Sequence, residues 1–132
     1  MLLLDASIWV AAAIPAHGWH GPASKLVREP PAAIGAIDLT LYEIANALGV
    51  RGGEPDAARV LAEVLQRRCG ERIVKLDAEL LDSALALAAE HGLSAYDAAY
   101  VAAARRAGWQ LVSIDIRDLV SKGLAVTPDA AV

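Results

Sequence analysis

The chain has no phenylalanine, and aromatic residues fill only 5% of its 132 positions. That excludes a core built on large rings, and the abundant alanine points instead to helices packed closely through small side chains. A single cysteine, Cys69, excludes an internal disulfide and fits a reducing compartment. At the end of a helical pattern it reads as an inert thiol. No stretch approaches the ~18 uninterrupted apolar residues of a membrane span. The apolar opening, residues 1–13, lacks a basic leader and carries Asp5 in its middle, so it is not expected to act as a signal peptide. Positive charge is also short: 12 Lys and Arg stand against 16 Asp and Glu, a net charge of −4. Attraction to nucleic acid must then come from a local basic patch or a bound metal. There is no Cys/His cluster of the kind that holds zinc. His17-x-x-His20 has a ligand-like spacing but sits among Gly and Pro, where an exposed loop is expected. Repeats, low-complexity tracts and linkers are missing too. A soluble, cytoplasmic, single domain over residues 1–132 is the expectation.

What is present is apolar: 56% hydrophobic residues against 21% charged ones exclude disorder. Residues 2–4, 33–37, 72–76, 109–114 and 124–126 read as short buried strands. Between them, residues 8–14, 23–28, 40–48, 54–68, 77–91 and 94–107 read as helices, with a helical turn at 116–121. Thr40-x-x-Glu43 and Ser94-x-x-Asp97 both have the spacing of a capping box. Val60, Leu61, Val64 and Leu65 form one expected buried stripe, and Leu80, Leu81, Ala84, Leu85, Leu87 and Ala88 another. Strands separated by helices predict an α/β fold: a three-layer α/β/α sandwich around a central, mainly parallel sheet of four to five strands.

In open parallel sheets, sites form outside the carboxyl ends of the strands, near the reversal in strand order. Asp5 ends the first strand and Asp115 the fourth, while Glu43 and Asp97 are expected in the first turns of their helices. Four carboxylates at one edge repel one another, and a divalent cation is the compensation such a set implies. Mg²⁺ or Mn²⁺ prefers carboxylate and water oxygens. Helix N-termini favour the ionised state that a ligand needs, so Asp97 as cap and Asp97 as metal ligand are compatible readings. Asp38, Asp77 and Asp82 read as turn, cap and exposed-helix residues.

These residues resemble a known family. Leu4-Asp5-Ala6-Ser7, Glu43-Ile44-Ala45-Asn46-Ala47-Leu48, Leu93-Ser94-Ala95-Tyr96-Asp97-Ala98 and Leu111-Val112-Ser113-Ile114-Asp115 are similar, in order and spacing, to four motifs of the PIN-domain ribonucleases. The closer resemblance is to the VapC-type toxins of type II toxin–antitoxin systems, and it covers nearly the full chain. The fourth motif commonly has Thr where Ser113 stands, and Asp118 follows Asp115 closely enough to compete for its place. The resemblance implies metal-dependent endoribonuclease activity. Asp5, Asp97 and Asp115 would hold one or two Mg²⁺ or Mn²⁺ ions, with Glu43 completing the metal sphere or orienting the attacking water. Ser7 and Asn46 read either as supporting or substrate contacts, or as a helix cap and a polar helix face. The resemblance further implies a VapB-like antitoxin and a homodimer.

An RNA substrate has to reach an acidic edge, and Arg51, Arg67, Arg68, Arg72, Arg105, Arg106 and Arg117 are the candidate phosphate contacts. Ile8, Trp9 and Val10 with Leu26 and Val27 read either as core or as a groove for an amphipathic antitoxin segment. Rival readings fit less well. A receiver domain needs an acidic pair after the first strand, and a haloacid-dehalogenase-like phosphatase needs a second Asp where Ser7 stands. A non-toxin or non-catalytic PIN-like domain, acting in RNA processing or in RNA or protein binding, is the remaining alternative.

Overall fold

A computed structural model of the chain describes residues 1–131. At its centre are four parallel strands, β1 (Leu2–Leu4), β2 (Ile34–Ile37), β3 (Ile73–Val74) and β4 (Gln110–Val112), in the spatial order β3-β2-β1-β4. Leu2 lies opposite Ile34 on one side and Gln110 on the other, so β1 is an inner strand. A parallel sheet is covered on both faces, which is why β1 and β2 are unbroken apolar runs. Their side chains still alternate. Leu2, Leu4, Ile34 and Ala36 join one core, against helices α1 (Ala6–Ala13), α2 (His20–Arg28), α3 (Asp38–Ile44) and α4 (Pro55–Cys69). Leu3, Ile37 and Leu111 join the other, against α5 (Ala78–His91) and α6 (Ala95–Ala107). Three layers result, as the strand–helix alternation predicts.

Helix α6 is the most deeply set. Every residue from Ala98 to Ala104 is buried, and only a run this rich in alanine lets a helix sit that close to its neighbours. Ser94 Oγ accepts from the Asp97 N–H at 3.1 Å, and Gly108 closes the helix at φ 72°. Asp77 caps α5 in the same way, accepting from Leu80 N at 2.8 Å. Gly35 permits another close approach. A Cβ there would lie 2.5 Å from the Trp109 ring and 2.7 Å from the Arg72 carbonyl oxygen.

Several expectations need correction. Helix α3 begins at Asp38, so Thr40 is not its cap; its Oγ1 turns back to accept from Ile37 N at 3.2 Å, and Glu43 stands in the second turn. Beyond Ile44 the helix widens into a π-type segment, Ala45–Arg51, which shifts side-chain register and leaves Asn46 exposed. Helix α2 starts at His20 rather than residue 23. The expected fifth strand is reduced to one bridge, Val126 to Val112, because Gly123 and Pro128 leave it little length. Val60, Leu81 and Leu85 are 59%, 55% and 55% exposed, so the stripes of α4 and α5 are narrower than their hydropathy suggests. Ile8, Trp9, Leu26 and Val27 are buried, as core residues are, while Val10 is half-buried. Cys69 is buried and its thiol is pushed up to about 11, by burial above all, consistent with an inert thiol. Among the described residues, no helix is long and apolar enough to cross a membrane.

Candidate active site

The chain lays β1, β2 and β3 in one direction across the sheet, then returns to place β4 on the other side of β1. This reversal opens a crevice beyond the carboxyl ends of β1 and β4. Asp5 follows β1 directly, and Asp115 stands three residues past Val112. Both act as caps: Asp5 Oδ1 accepts from Ile8 N at 3.4 Å, and Asp115 Oδ1 accepts from Asp118 N at 3.0 Å. Asp97 reaches the same edge from the first turn of α6.

Carboxylate oxygens of Asp97, Asp115 and Asp118 all lie within 4.8 Å of one another, each residue half-buried. The crowding has an electrostatic signature. Burial raises the Asp97 carboxyl above its ordinary value, and Asp115, Glu43 and Asp118 push it further. Asp115 and Asp118 both stand in the cluster. Lys122 and Arg117 each hold a cationic nitrogen 3.9 Å from Asp118 Oδ1 and offset only part of the charge. Three converging oxygen donors suit a hard divalent ion, and no Cys or His joins this group.

Asp5 and Glu43 flank this triad rather than belong to it. Asp5 is only 6% exposed, and burial pushes its carboxyl up to about 6, against the pull of the Ser113 and Ser7 hydroxyls and the Ile8 N–H; Glu43 adds a smaller push in the same direction as burial. Ser7 lies inside α1 and is not its cap, which Asp5 supplies. Its Oγ donates to Asp5 and accepts from Ile114 N at 3.3 Å, tying the β1–α1 corner to the tail of β4. Glu43 is held from α6: Tyr100 Oη donates to its Oε1 at 2.7 Å. Tyr100 also lies 2.9 Å from Thr40 Oγ1, which already accepts from Ile37 N. With the Tyr100 proton committed to Glu43, Thr40 is the donor to Tyr100, and the chain runs in one direction from backbone to carboxylate. Burial, and then Glu43, raise the Tyr100 phenol well above its usual range, which keeps it a donor.

Tyr100, Thr40 and Ser113 are the residues that sequence reasoning missed as participants. Tyr100 follows Asp97 by three positions, on the same helical face, and that spacing was the available signal. Asn46 makes no side-chain hydrogen bond among the described residues. The histidine pair separates: His20 Nδ1 is 3.0 Å from the Ala11 carbonyl, while His17 Nδ1 accepts from Trp19 N at 3.0 Å.

Comparison with known proteins gives a consistent picture. A family model described as PIN domain matches residues 2–121. Ribonuclease VapC3 of Pyrobaculum aerophilum is 36% identical over 133 residues, covering 96% of this chain and 98% of that protein. Among solved structures, VapC20 of Mycobacterium tuberculosis, described as a sarcin-ricin loop cleaving toxin, superposes with a TM-score of 0.77 at 24% identity, over 93% of this chain and 95% of that one. A toxin–antitoxin complex from Klebsiella pneumoniae gives 0.74 at 17% identity, over 97% and 98%.

Proposed function

This chain belongs to the PIN-domain family, and from that premise we propose that it is the toxin of a VapBC-type pair, an endoribonuclease that hydrolyses RNA phosphodiester bonds with Mg²⁺ or Mn²⁺. The observation that carries the reading is the convergence of Asp97, Asp115 and Asp118 at the edge where Asp5 and Glu43 also stand. Asp97, Asp115 and Asp118 would hold the metal, with Asp5 beside them. Such an ion supplies an activated water and neutralises phosphate charge, so no serine or histidine nucleophile is needed.

The chain's own groups do the positioning. Ser7 and the Ile8 N–H hold Asp5 at the end of β1. Tyr100 occupies one oxygen of Glu43 and leaves the other to orient the attacking water or accept its proton. Ser94 caps α6, so the Asp97 carboxylate is not spent on that task. Asn46, exposed on the widened end of α3, is a candidate substrate contact.

The reading extends to a single catalytic domain over residues 1–132, working in the cytoplasm, silenced by a VapB-like antitoxin and paired as a homodimer. Support for these partners comes from the kinship with a VapC ribonuclease and from exposed apolar residues, among them Leu81, Leu85 and Tyr96. Cleavage of single-stranded RNA by the purified protein, with Asp97→Asn as control, tests the reading. An adjacent reading frame encoding a small DNA-binding protein would support the antitoxin, and its absence would count against it.

A further inference from the structure

The structure distinguishes between the arginines that the sequence leaves equal. In a parallel sheet, a helix that returns to the next strand ends at the opposite edge from the strands' carboxyl ends. Arg67 and Arg68 in the last turn of α4, and Arg105 and Arg106 in the last turn of α6, therefore lie away from the acids. Arg106 is paired with Asp77 at 3.0 Å, and Arg72 donates to the Ile34 and Arg68 carbonyls at 2.9 and 3.0 Å. Arg117 stands beside Asp118. Arg51 differs on each count. It closes the widened end of α3, has no ion pair among the described residues, and lines a cleft of about 300 Å³ together with Glu43 and Ser7.

The same cleft is lined by His17, Val10 and Ile114. Because His17 Nδ1 accepts the Trp19 N–H, the ring's own N–H is on Nε2. A ring N–H and an unpaired guanidinium thus share one small cleft with the carboxylate proposed to act on the water. We infer that this cleft is an RNA subsite that takes one nucleotide next to the scissile bond. Arg51 and the His17 Nε2–H contact its phosphate, and Val10 and Ile114 carry its sugar or base. At about 300 Å³ the space is near the lower limit for small-ligand pockets, which suits one unstacked nucleotide. The inference rests on the ribonuclease reading and supplies what that reading lacks, a positive contact for the backbone in a chain of net charge −4.

Binding of a fluorescently labelled, mixed-sequence, single-stranded RNA is measured by anisotropy in Ca²⁺ at several salt concentrations, with RNA integrity checked on a gel, and cleavage is assayed separately in Mn²⁺. Arg51→Met is expected to weaken binding about tenfold and to lower the slope of log K against log salt by about 0.7, one phosphate contact on a single strand. His17→Leu is expected to weaken binding by removing the ring N–H donor, and His17→Gln to restore part of the loss. In cleavage, Arg51→Met raises KM and leaves kcat within about twofold. An Arg51→Met protein that binds with wild-type affinity and slope, while the wild type cuts RNA, overturns the subsite alone. A wild type that neither binds nor cuts RNA overturns the ribonuclease reading, and the subsite with it.

Discussion

Asp5 is where function and stability pull against each other. Folding raises its carboxyl from an ordinary value near 4 to about 6, chiefly through burial. The folded state therefore holds this proton more tightly than the unfolded chain does. Its contribution to stability is complete below about pH 4 and is lost as pH rises through 6. In EDTA, Asp5→Asn is expected to match the wild type near pH 4 and to exceed its stability above pH 6, by at most about 3 kcal/mol. Denaturant midpoints across that range measure it, and added Mn²⁺ should narrow the gap by stabilising the wild type. A constant difference at all pH values would mean that Asp5 is not charged and buried as described. Tyr100 offers a second residue-scale test. Tyr100→Phe removes the donor to Glu43 and leaves the Thr40 hydroxyl proton without its acceptor, which should lower kcat ten- to a hundredfold with little change in KM. The expected stability loss is about 1–2 kcal/mol. A loss of stability with kcat unchanged would show that the hydroxyl only packs the core.

Among the elements, α6 carries Asp97 and α3 carries Glu43, and the two helices were not equally legible. For α6 the local signals agree: Ser94 caps, seven consecutive residues are buried, and Gly108 stops it, so its start and the place of Asp97 follow from sequence. For α3 they conflict. Thr40-x-x-Glu43 has capping-box spacing, but β2 runs straight into the helix through Ile37, and Thr40 spends its hydroxyl backwards on Ile37 N. The link from Tyr100 to Glu43 spans 57 positions, and no local pattern encodes such a tertiary contact. Strand β2 makes its own prediction. Gly35→Ala would set a methyl against the Arg72 carbonyl, which is backbone and cannot turn aside, as well as against Trp109. The cost should be about 1–3 kcal/mol in denaturant unfolding. A variant as stable as the wild type would deny the close approach between β2 and its neighbours.

At the scale of the whole molecule, strand order matters more than any single motif. Placing β4 beside β1 brings Asp5 and Asp115, from opposite ends of the chain, to one edge. Helix α6 leads into β4, so its first turn delivers Asp97 to that edge as well. The layered architecture and the edge that gathers the acids were legible because strand–helix alternation leaves few alternatives. The membership of the tightest group was not. Asp118 joins Asp97 and Asp115 because a wide turn after β4 folds back on itself, with Asp115 accepting from Asp118 N, and no spacing rule encodes that turn. The narrowed stripes of α4 and α5 were hidden for a similar reason, since exposed Val60, Leu81 and Leu85 look like core by hydropathy alone.

The central claim is that this acidic edge cuts RNA with a divalent ion. The direct measurement is cleavage of single-stranded RNA by the purified protein, comparing wild type and Asp97→Asn, with Mn²⁺ and with EDTA, after circular dichroism has shown that both are folded. Wild type with Mn²⁺ should cleave, and EDTA or Asp97→Asn should each reduce the rate at least about a hundredfold. A folded Asp97→Asn protein that cuts as fast as wild type, or cleavage that persists undiminished in EDTA, would contradict it.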